Sequence, residues 1–423
     1  MTAVLLLLIA QAASVHVLTL EEAERVAQER QPQLRVARAG TQAAEGRADQ
    51  ARSGLLPQLS ATARYQRSTA NLIPNPGVTG RSAGTSLDNF NFFNNSVSLS
   101  QLVWDFGQTS GRWRASQATA QATADQERLT GQQVILQVRS AFFAARANKA
   151  LLAVARENLT NQRRHLDQIQ GFVQAGTRPQ IDLSQARADT ANAEVTEINA
   201  DNAYVTSKVV LNQAMGLEGP IDYEVSDQAL APVPEEDQDL GALLQQALDT
   251  RPDVSSAVQQ VRAQQLTLRS VQGAYGPTLS ANAGFTQGGN ALDDLGWNLS
   301  AGLTLSWQLY QGGFTVAQTH EAEANLAGAV AQLDAVRQQV RLEVDQARLA
   351  VRAAKAASRA AKVALTSARD RLQQAEARYQ NGAGSVIELG DAQIAEAQAG
   401  AQVVQSDLGL ATARAQLLKA LGR

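Results

Sequence analysis

The chain of 423 residues contains no cysteine. Disulfide bonds, thiolate catalysis and cysteine-bound metal or iron–sulfur centres are therefore excluded. An excess of basic charge is also missing, because the formal net charge is −3 at pH 7. Without a broad positive field the chain is a poor partner for nucleic acid, and we predict that it binds none.

Catalytic motifs are scarce as well. The sequence has no phosphate-binding loop, no nucleophile elbow and no zinc-ligand spacing. The histidines are His16, His165 and His320, and we interpret the last two as solvated helix positions because neither has a paired ligand nearby on its helix face. We predict that the protein is not an enzyme and holds no metal and no cofactor.

Apolar runs of the roughly 18 to 20 residues that a membrane-spanning helix needs are absent. Any membrane span is therefore expected to consist of β-strands. A short apolar run at residues 4–10 leads into the small-residue pattern Ala10-Gln11-Ala12, which is typical of a secretory signal with its cleavage site. We predict a signal peptide over residues 1–12, with a frayed apolar terminus as the alternative.

Two copies of one unit make up the rest of the chain. Residues 20–61 align without a gap on residues 240–281. From Leu99 onward a second constant offset holds to the end of the chain and pairs Gly176 with Gly382. An internal repeat of this kind indicates a duplicated supersecondary unit, with a longer loop in the first copy.

Hydrophobic periodicity predicts a helix, two strands, a long helix, a turn and a shorter helix in each copy. Side chains alternate most cleanly between Trp297 and Trp307. We expect a first repeat over 13–216, a linker over 217–239 and a second repeat over 240–423. The predicted strands are about 57–66, 96–104, 277–286 and 297–307, the long helices about 108–175 and 314–381, and the loop 67–95.

Aromatic residues and helix length carry the sequence argument further. All four tryptophans lie near the predicted strands, as in the interfacial girdles of membrane strands; the aromatic core of a soluble sheet is the alternative. Each long helix would extend roughly 100 Å at about 1.5 Å per residue, which no globular core requires. Patches of seven-residue apolar spacing indicate helices packed side by side, although an ordinary coiled coil shows the same spacing.

Short strings at the strand and turn positions resemble those of the TolC-like outer-membrane efflux family. They are the strand entries LPQL and GPTL, the strand exits LVWDFG and LYQGG, and the turn strings AGTRPQIDL and NGAGSVIEL. Each string is weak alone, but their order and duplication make the resemblance specific, and it covers essentially the whole chain after the signal.

The resemblance implies a mixed, mainly α fold with a membrane β-barrel. Two tandem helix-strand-strand-long helix-helix repeats would form, in a homotrimer, a twelve-stranded barrel in outer-membrane lipid above a periplasmic α-helical tunnel. The implied function is export from an inner-membrane transporter through a periplasmic adaptor, in the outer membrane of a Gram-negative-type bacterium. The alternatives are a periplasmic or extracellular helical scaffold without a pore, and a simple diffusion porin, which would not need such helices.

The two turns between long and short helices are candidate docking sites. Gly176 and Gly382 are expected to supply a positive φ at the helix ends. A plain helix–helix turn is the alternative, and the resemblance implies contact with an adaptor hairpin. The candidate docking residues are Gly176, Thr177, Arg178, Gly382, Ala383, Gly384 and Ser385.

Two carboxylates follow the second turn. Glu388 and Asp391 are three residues apart and share a helix face. Threefold symmetry would bring six such groups together, where they would repel one another and attract multivalent cations. The resemblance assigns both residues to a gate at the periplasmic end; ordinary solvated helix acids are the alternative.

The closed state of that gate involves two further residues. The resemblance implies that Asp182 and Tyr379 hold the inner and outer helices together by hydrogen bonds. The arginine partner of the family falls at Gly384 in this chain, which is a departure, and Arg178 is the alternative partner.

Overall fold

The computed structural model describes residues 16–69 and 89–423. The predicted signal peptide and most of the predicted loop 67–95 lie outside these residues. The prediction of a mainly helical chain is confirmed, because helices account for most of the described residues. The described residues include no helix that is both long and apolar enough to cross a membrane.

Six strands and eight helices are present in the described part of the chain. In chain order they are β1 (His16–Leu18), α1 (Leu20–Arg30), α2 (Pro32–Ser53), β2 (Gln58–Thr69), β3 (Asn89–Trp104), α3 (Gln108–Gln174), α4 (Gln180–Met215), β4 (Tyr223–Val225), α5 (Leu240–Thr250), α6 (Pro252–Gly273), β5 (Thr278–Ala291), β6 (Asp294–Ser306), α7 (Phe314–Gln380) and α8 (Val386–Ala420).

The chain folds into two compact units. The helical unit contains the described residues up to 39 together with residues 125–255 and 335–423. The sheet unit contains the described residues of 40–124 together with residues 256–334.

A proline divides the first helical segment of each copy, which the periodicity predicts as one helix. The first segment consists of α1 and α2, with extended backbone at Gln31 before Pro32. The second consists of α5 and α6, with extended backbone at Arg251 before Pro252. The residue before a proline is pushed out of the helical region by its ring, which explains both breaks.

The end of a shorter helix lies against each of these breaks in the helical unit. The side chain of Gln31 donates to the carbonyl of Ala214 at 2.8 Å, and that of Arg251 donates to Ala420 at 3.3 Å. Gly216 follows α4 with a φ of 71° and approaches Gln31 so closely that an added Cβ would lie 2.8 Å from its Cα. In each copy the contact supplies a hydrogen-bond donor to a carbonyl at the end of the shorter helix, because the last carbonyls of a helix have no partner within it.

The core of the helical unit contains aromatic and aliphatic side chains from α1, α3 and α4. Phe142 and Phe143 meet edge to face at 5.6 Å, and Leu211 and Met215 are fully buried with them. Val225 of β4 joins the same core, where β4 pairs in parallel with β1. The sequence did not predict this two-stranded sheet, because three-residue strands show no usable alternation.

The sheet unit is built on one antiparallel sheet with the strand order β2-β3-β5-β6. Its strands are longer than the expected ranges: β2 continues to Thr69 and β3 begins at Asn89, so the ends of the predicted loop are strand. Among the described residues, β2 and β6 each pair with one neighbour only.

Candidate functional site

The first turn, between α3 and α4, closes the end of a long helix. Gly176 has a φ of 74°, which favours glycine because it has no Cβ. The amide of Gly176 donates to Val173, and that of Thr177 donates to Phe172, both at 3.0 Å. The Thr177 hydroxyl donates to the same Phe172 carbonyl at 2.9 Å. These bonds satisfy carbonyls that the ending helix leaves open.

The second turn, between α7 and α8, repeats this arrangement. Gly382 has a φ of 73°, and the amide of Ala383 donates to Arg378 at 2.9 Å. Gly384 is confined, since an added Cβ would lie 3.1 Å from the Tyr379 nitrogen. Ser385 caps α8, because its hydroxyl accepts a hydrogen bond from the Glu388 amide at 3.0 Å.

A small apolar core joins the two turns. Val386 packs against a cluster around Ile169 and Leu183 and also against one around Tyr379 and Leu389. The start of α8 therefore contacts the partners of both turns. The predicted docking residues lie around a single packed end of the helical unit.

Tyr379 lies at the centre of this end. Its side chain is buried, and its ring contacts the Arg178 guanidinium at 5.1 Å and the His165 ring at 5.5 Å. The Tyr379 hydroxyl has no hydrogen-bond partner among the described residues. A cation–π contact between Arg178 and the Tyr379 ring connects the first turn to α7.

Charges around Tyr379 act on its ionisation. Burial raises the pKa of Tyr379, the Arg178 charge opposes this rise, and the Asp182 charge adds to it. Asp182 thus influences the tyrosine through its field. Tyr379 remains neutral at physiological pH, so the ring offers its π face to Arg178.

His165 corrects one sequence interpretation. The histidine was expected to be solvated, but its residue is 7% exposed and packs on Tyr379. Burial lowers the pKa of His165, with Asp189 acting in the opposite direction. A helix face alone does not reveal a neighbour that comes from another helix, and this explains the error. His320 is exposed, as expected.

The two candidate gate carboxylates differ in their surroundings. Glu388 forms an ion pair with Arg378 at 2.9 Å, whereas Asp391 lies exposed on the next turn of α8. Arg178, the alternative arginine partner for the latch residues, contacts the Tyr379 ring. Arg378, which the sequence argument did not single out, supplies the compensating charge.

This end of the helical unit presents charged groups and turn surfaces, and we find no arrangement of catalytic or metal-binding side chains among its described residues. Within residues 16–69 and 89–423, no group of three or more histidine, aspartate or glutamate side chains could hold a metal ion. It presents two glycine turns, the exposed carboxylate of Asp391 and the carboxylate of Glu388, which is paired with Arg378. Such groups can bind a protein surface or a cation.

The family model described as "Outer membrane efflux protein" matches residues 25–217 and 243–423. The chain belongs to this family. It is 27% identical to outer membrane protein TolC of Escherichia coli strain K12 over 327 residues, which cover 73% of this chain and 63% of TolC. It is 24% identical to outer membrane efflux protein BepC of Brucella suis over 313 residues, covering 73% of this chain and 64% of BepC. The matched stretch thus spans less than two thirds of each relative.

Solved structures agree in fold. The outer-membrane channel OprN superimposes with a TM-score of 0.82 at 19% identity, covering 95% of this chain and 89% of OprN. VceC of Vibrio cholerae gives a TM-score of 0.82 at 19% identity, with 95% and 96% coverage. These structures show the shared fold. The family model confirms the predicted family and, with it, the outer-membrane location and the expectation of an efflux protein rather than an enzyme.

Proposed function

We propose that the protein is the outer-membrane channel of an export system, a passive duct that receives substrates from an inner-membrane pump through a periplasmic adaptor. One observation carries the proposal. A four-stranded sheet has an exposed apolar face and, as far as the described residues show, an unpaired edge at β2 and at β6. Helices of up to 67 residues precede and follow its strands. Family membership supports the same function.

The exposed face of the sheet is suited to lipid. Trp297, Leu299 and Leu303 lie on one face of β6 and are 72%, 68% and 71% exposed. On the opposite face, Ser60 and Ser98 hydroxyls bond to each other at 2.7 Å. One face of the sheet is therefore apolar and the other polar. Membrane barrels show the same pattern, because successive residues of a strand point alternately to the lipid and to the lumen.

Assembly follows from the open edges. Unpaired backbone groups cost several kcal/mol each in hydrocarbon, so β2 and β6 need partners. In a homotrimer, the β6 edge of one copy would pair with the β2 edge of the next and close a twelve-stranded barrel. Exposed apolar side chains recur every seven residues or a multiple of seven along α7, at Leu342, Leu349 and Val363. They are suited to contacts between helices of neighbouring copies.

We expect the protein purified in detergent to be a trimer of 45.0 kDa chains. Size-exclusion chromatography with light scattering measures this directly. Leu303→Arg should reduce trimers in the membrane, because an arginine on the lipid face costs up to about 2–4 kcal/mol at the bilayer centre and less towards either interface. Thr304→Arg, on the other face of β6, is the matched control and should assemble. A monodisperse monomer with pore activity would refute the closed barrel.

The glycine turns are the proposed adaptor-docking surface, together with Thr177, Arg178, Ala383, Gly384 and Ser385. An added Cβ at Gly176 or Gly382 would meet no atom within 4 Å, so both positions face open space. Both glycines have a positive φ, and neither has a side chain, so the backbone itself forms the surface of each turn. A partner hairpin could approach the backbone there without displacing side chains.

Substituting tryptophan at Gly176 and Gly382 together should reduce export at least about tenfold, because an interface loses that factor for each 1.4 kcal/mol of binding free energy. Efflux of a fluorescent substrate measures the effect, and immunoblotting checks that trimers persist. The double variant Gly176→Ala and Gly382→Ala adds the backbone strain of a side chain at positive φ without a bulky group, and cells carrying it should export nearly normally. Gly171→Trp, at a helical glycine that also faces open space, is the control for bulk. Normal export by the double tryptophan variant would remove the turns from the docking site.

The gate is proposed at the same end. Glu388 and Asp391 would form a ring of carboxylates in the trimer, and the contacts of Arg178 with Tyr379 and of Arg378 with Glu388 would hold the helix ends in the resting arrangement.

A further inference from the structure

A polar pocket lies between α3 and α6 in the sheet unit. The two helices run antiparallel and are held together by Ser256, which donates to the Ala122 carbonyl at 2.9 Å, and by Ser270, which donates to Gln108 at 2.6 Å. Small residues allow this approach: an added Cβ at Gly111 would lie 2.8 Å from the Cβ of Ser270. Longer side chains beside this contact form the walls of the pocket.

Three arginines line this pocket, which has a volume of about 740 Å³. Arg114 comes from α3, and Arg262 and Arg269 come from α6. The other lining residues include four glutamines and no carboxylate. The pocket therefore combines three permanent positive charges with neutral hydrogen-bond donors.

The helix register arranges the arginines as a ladder. The two serine bonds place Arg114 at a level between Arg269 and Arg262. At about 1.5 Å per residue, the ladder spans roughly 10 Å along the helices. Guanidinium groups at alternating heights on two facing helices can therefore contact one extended ligand.

The three pocket arginines are exposed to solvent and have no carboxylate partner among the described residues, in contrast to other arginines of the chain. Arg139, Arg251 and Arg414 each face a carboxylate within 3.0 Å. Within residues 16–69 and 89–423, none of the three pocket arginines forms an ion pair. Like charges that line one pocket repel, and a bound anion would remove this cost.

A second copy of the chain is a poor occupant for this pocket. It lies between the helices that adjoin β3 and β5, the two central strands of the sheet. In the trimer of the proposed function, on which this step rests, pairing between copies would involve the edge strands β2 and β6. The ligand is therefore a molecule other than this chain, and the arginine and glutamine donors of the pocket indicate its chemistry.

We propose that the Arg114, Arg262 and Arg269 pocket binds a phosphate-bearing anion. Guanidinium groups match phosphate oxygens with two parallel hydrogen bonds, and glutamine amides supply further donors. The pocket begins at Arg114, about two helical turns into α3 and ten residues after the end of β3, so the phosphate could belong to a phospholipid headgroup or to a soluble molecule. The shared chemistry is the phosphoryl group.

Binding to the full-length mature protein in a neutral detergent tests this proposal without any export partner. Inorganic pyrophosphate is titrated by calorimetry, and phosphatidylglycerol is compared with phosphatidylcholine by native mass spectrometry. The pocket variant replaces Arg114, Arg262 and Arg269 with glutamine. The control replaces the exposed Arg35, Arg47 and Arg112 with glutamine and removes the same net charge.

The pocket variant should bind roughly 100-fold more weakly than wild type at low salt, since each arginine contributes about a fivefold effect near a charged surface. The control should bind nearly as well as wild type. Pyrophosphate binding identifies a soluble ligand, and selective retention of phosphatidylglycerol alone identifies a lipid headgroup. Arg262→Gln alone, expected to weaken binding about fivefold, serves if the triple variant does not fold. Absence of binding to both probes, or equal loss in pocket variant and control, overturns the proposal.

Discussion

Arg251→Met is expected to lower the free energy of unfolding by about 3 kcal/mol or more, because it breaks a buried ion network. The Arg251 side chain is 2% exposed and donates to Asp253 at 2.6 Å and to Glu343 at 2.9 Å. Lys419 also contacts Glu343, at 3.0 Å. Loss of the arginine leaves half-buried carboxylates short of a partner and removes the bond to the end of α8.

Arg156→Met is the matched control. Arg156 also contacts two carboxylates, Glu197 and Asp201, both at 3.1 Å, but its side chain is 57% exposed. Exposed ion pairs contribute about 0–1 kcal/mol, so the control should be nearly as stable as wild type. Chemical unfolding in detergent, followed by helical circular dichroism, compares the two. Equal stability of both variants would show that burial does not govern the network.

Acid should weaken the same network. Burial alone would raise the pKa of Glu343, but hydrogen bonds from Gln339, Lys419 and Arg251 outweigh burial and lower the pKa to about 2 from 4.5. A depressed carboxylate pKa stabilises the fold above the unfolded value and loses this contribution as the pH falls through the folded value. Stability from Glu343 should therefore decline between about pH 4.5 and pH 2, and Arg251→Met should flatten part of this decline.

The break at Arg251 shows which features of the fold the sequence could predict. Long amphipathic helices and alternating strands follow from local periodicity, and the duplication fixes their order twice. The interruptions at Gln31 and Arg251 were missed although Pro32 and Pro252 mark them, because good helix formers on both sides suggested one continuous helix. The proline was the usable signal.

Contacts between distant segments were beyond the sequence argument. Arg251 lies at the break between α5 and α6, Glu343 on α7 and Lys419 on α8, and a single sequence does not bring them together. The burial of His165 by Tyr379 has the same cause. By contrast, the pair of Arg378 with Glu388 spans one short turn and could have been predicted from the charges on either side of Gly382.

Replacing both Glu388 and Asp391 with alanine is expected to remove block by divalent or trivalent cations applied from the periplasmic side. In the proposed trimer, six carboxylates would face one another, and their removal should weaken the block at least about tenfold. Planar-bilayer conductance measures it. Asp370→Asn, an exposed carboxylate on α7, is the control and should leave the block unchanged.

Glu388 and Asp391 should contribute unequally to the cation block, because their surroundings differ. Arg378 already balances Glu388 at 2.9 Å, whereas Asp391 is exposed, so Asp391→Asn alone should remove more of the block than Glu388→Gln alone. Equal block in the double alanine variant and wild type would place the cation site elsewhere.

Tyr379→Phe tests whether the gate depends on the Tyr379 hydroxyl or only on the contacts of its ring. The Tyr379 hydroxyl has no hydrogen-bond partner among the described residues, and phenylalanine keeps the ring against Arg178 and His165. The resting conductance should therefore stay at the wild-type level. Arg178→Gln removes the cation–π contact, worth about 0.5–2 kcal/mol, and should raise the resting conductance. If Tyr379→Phe opened the channel instead, the hydroxyl would bond to a group supplied by another copy, and the latch would lie between subunits rather than within one chain.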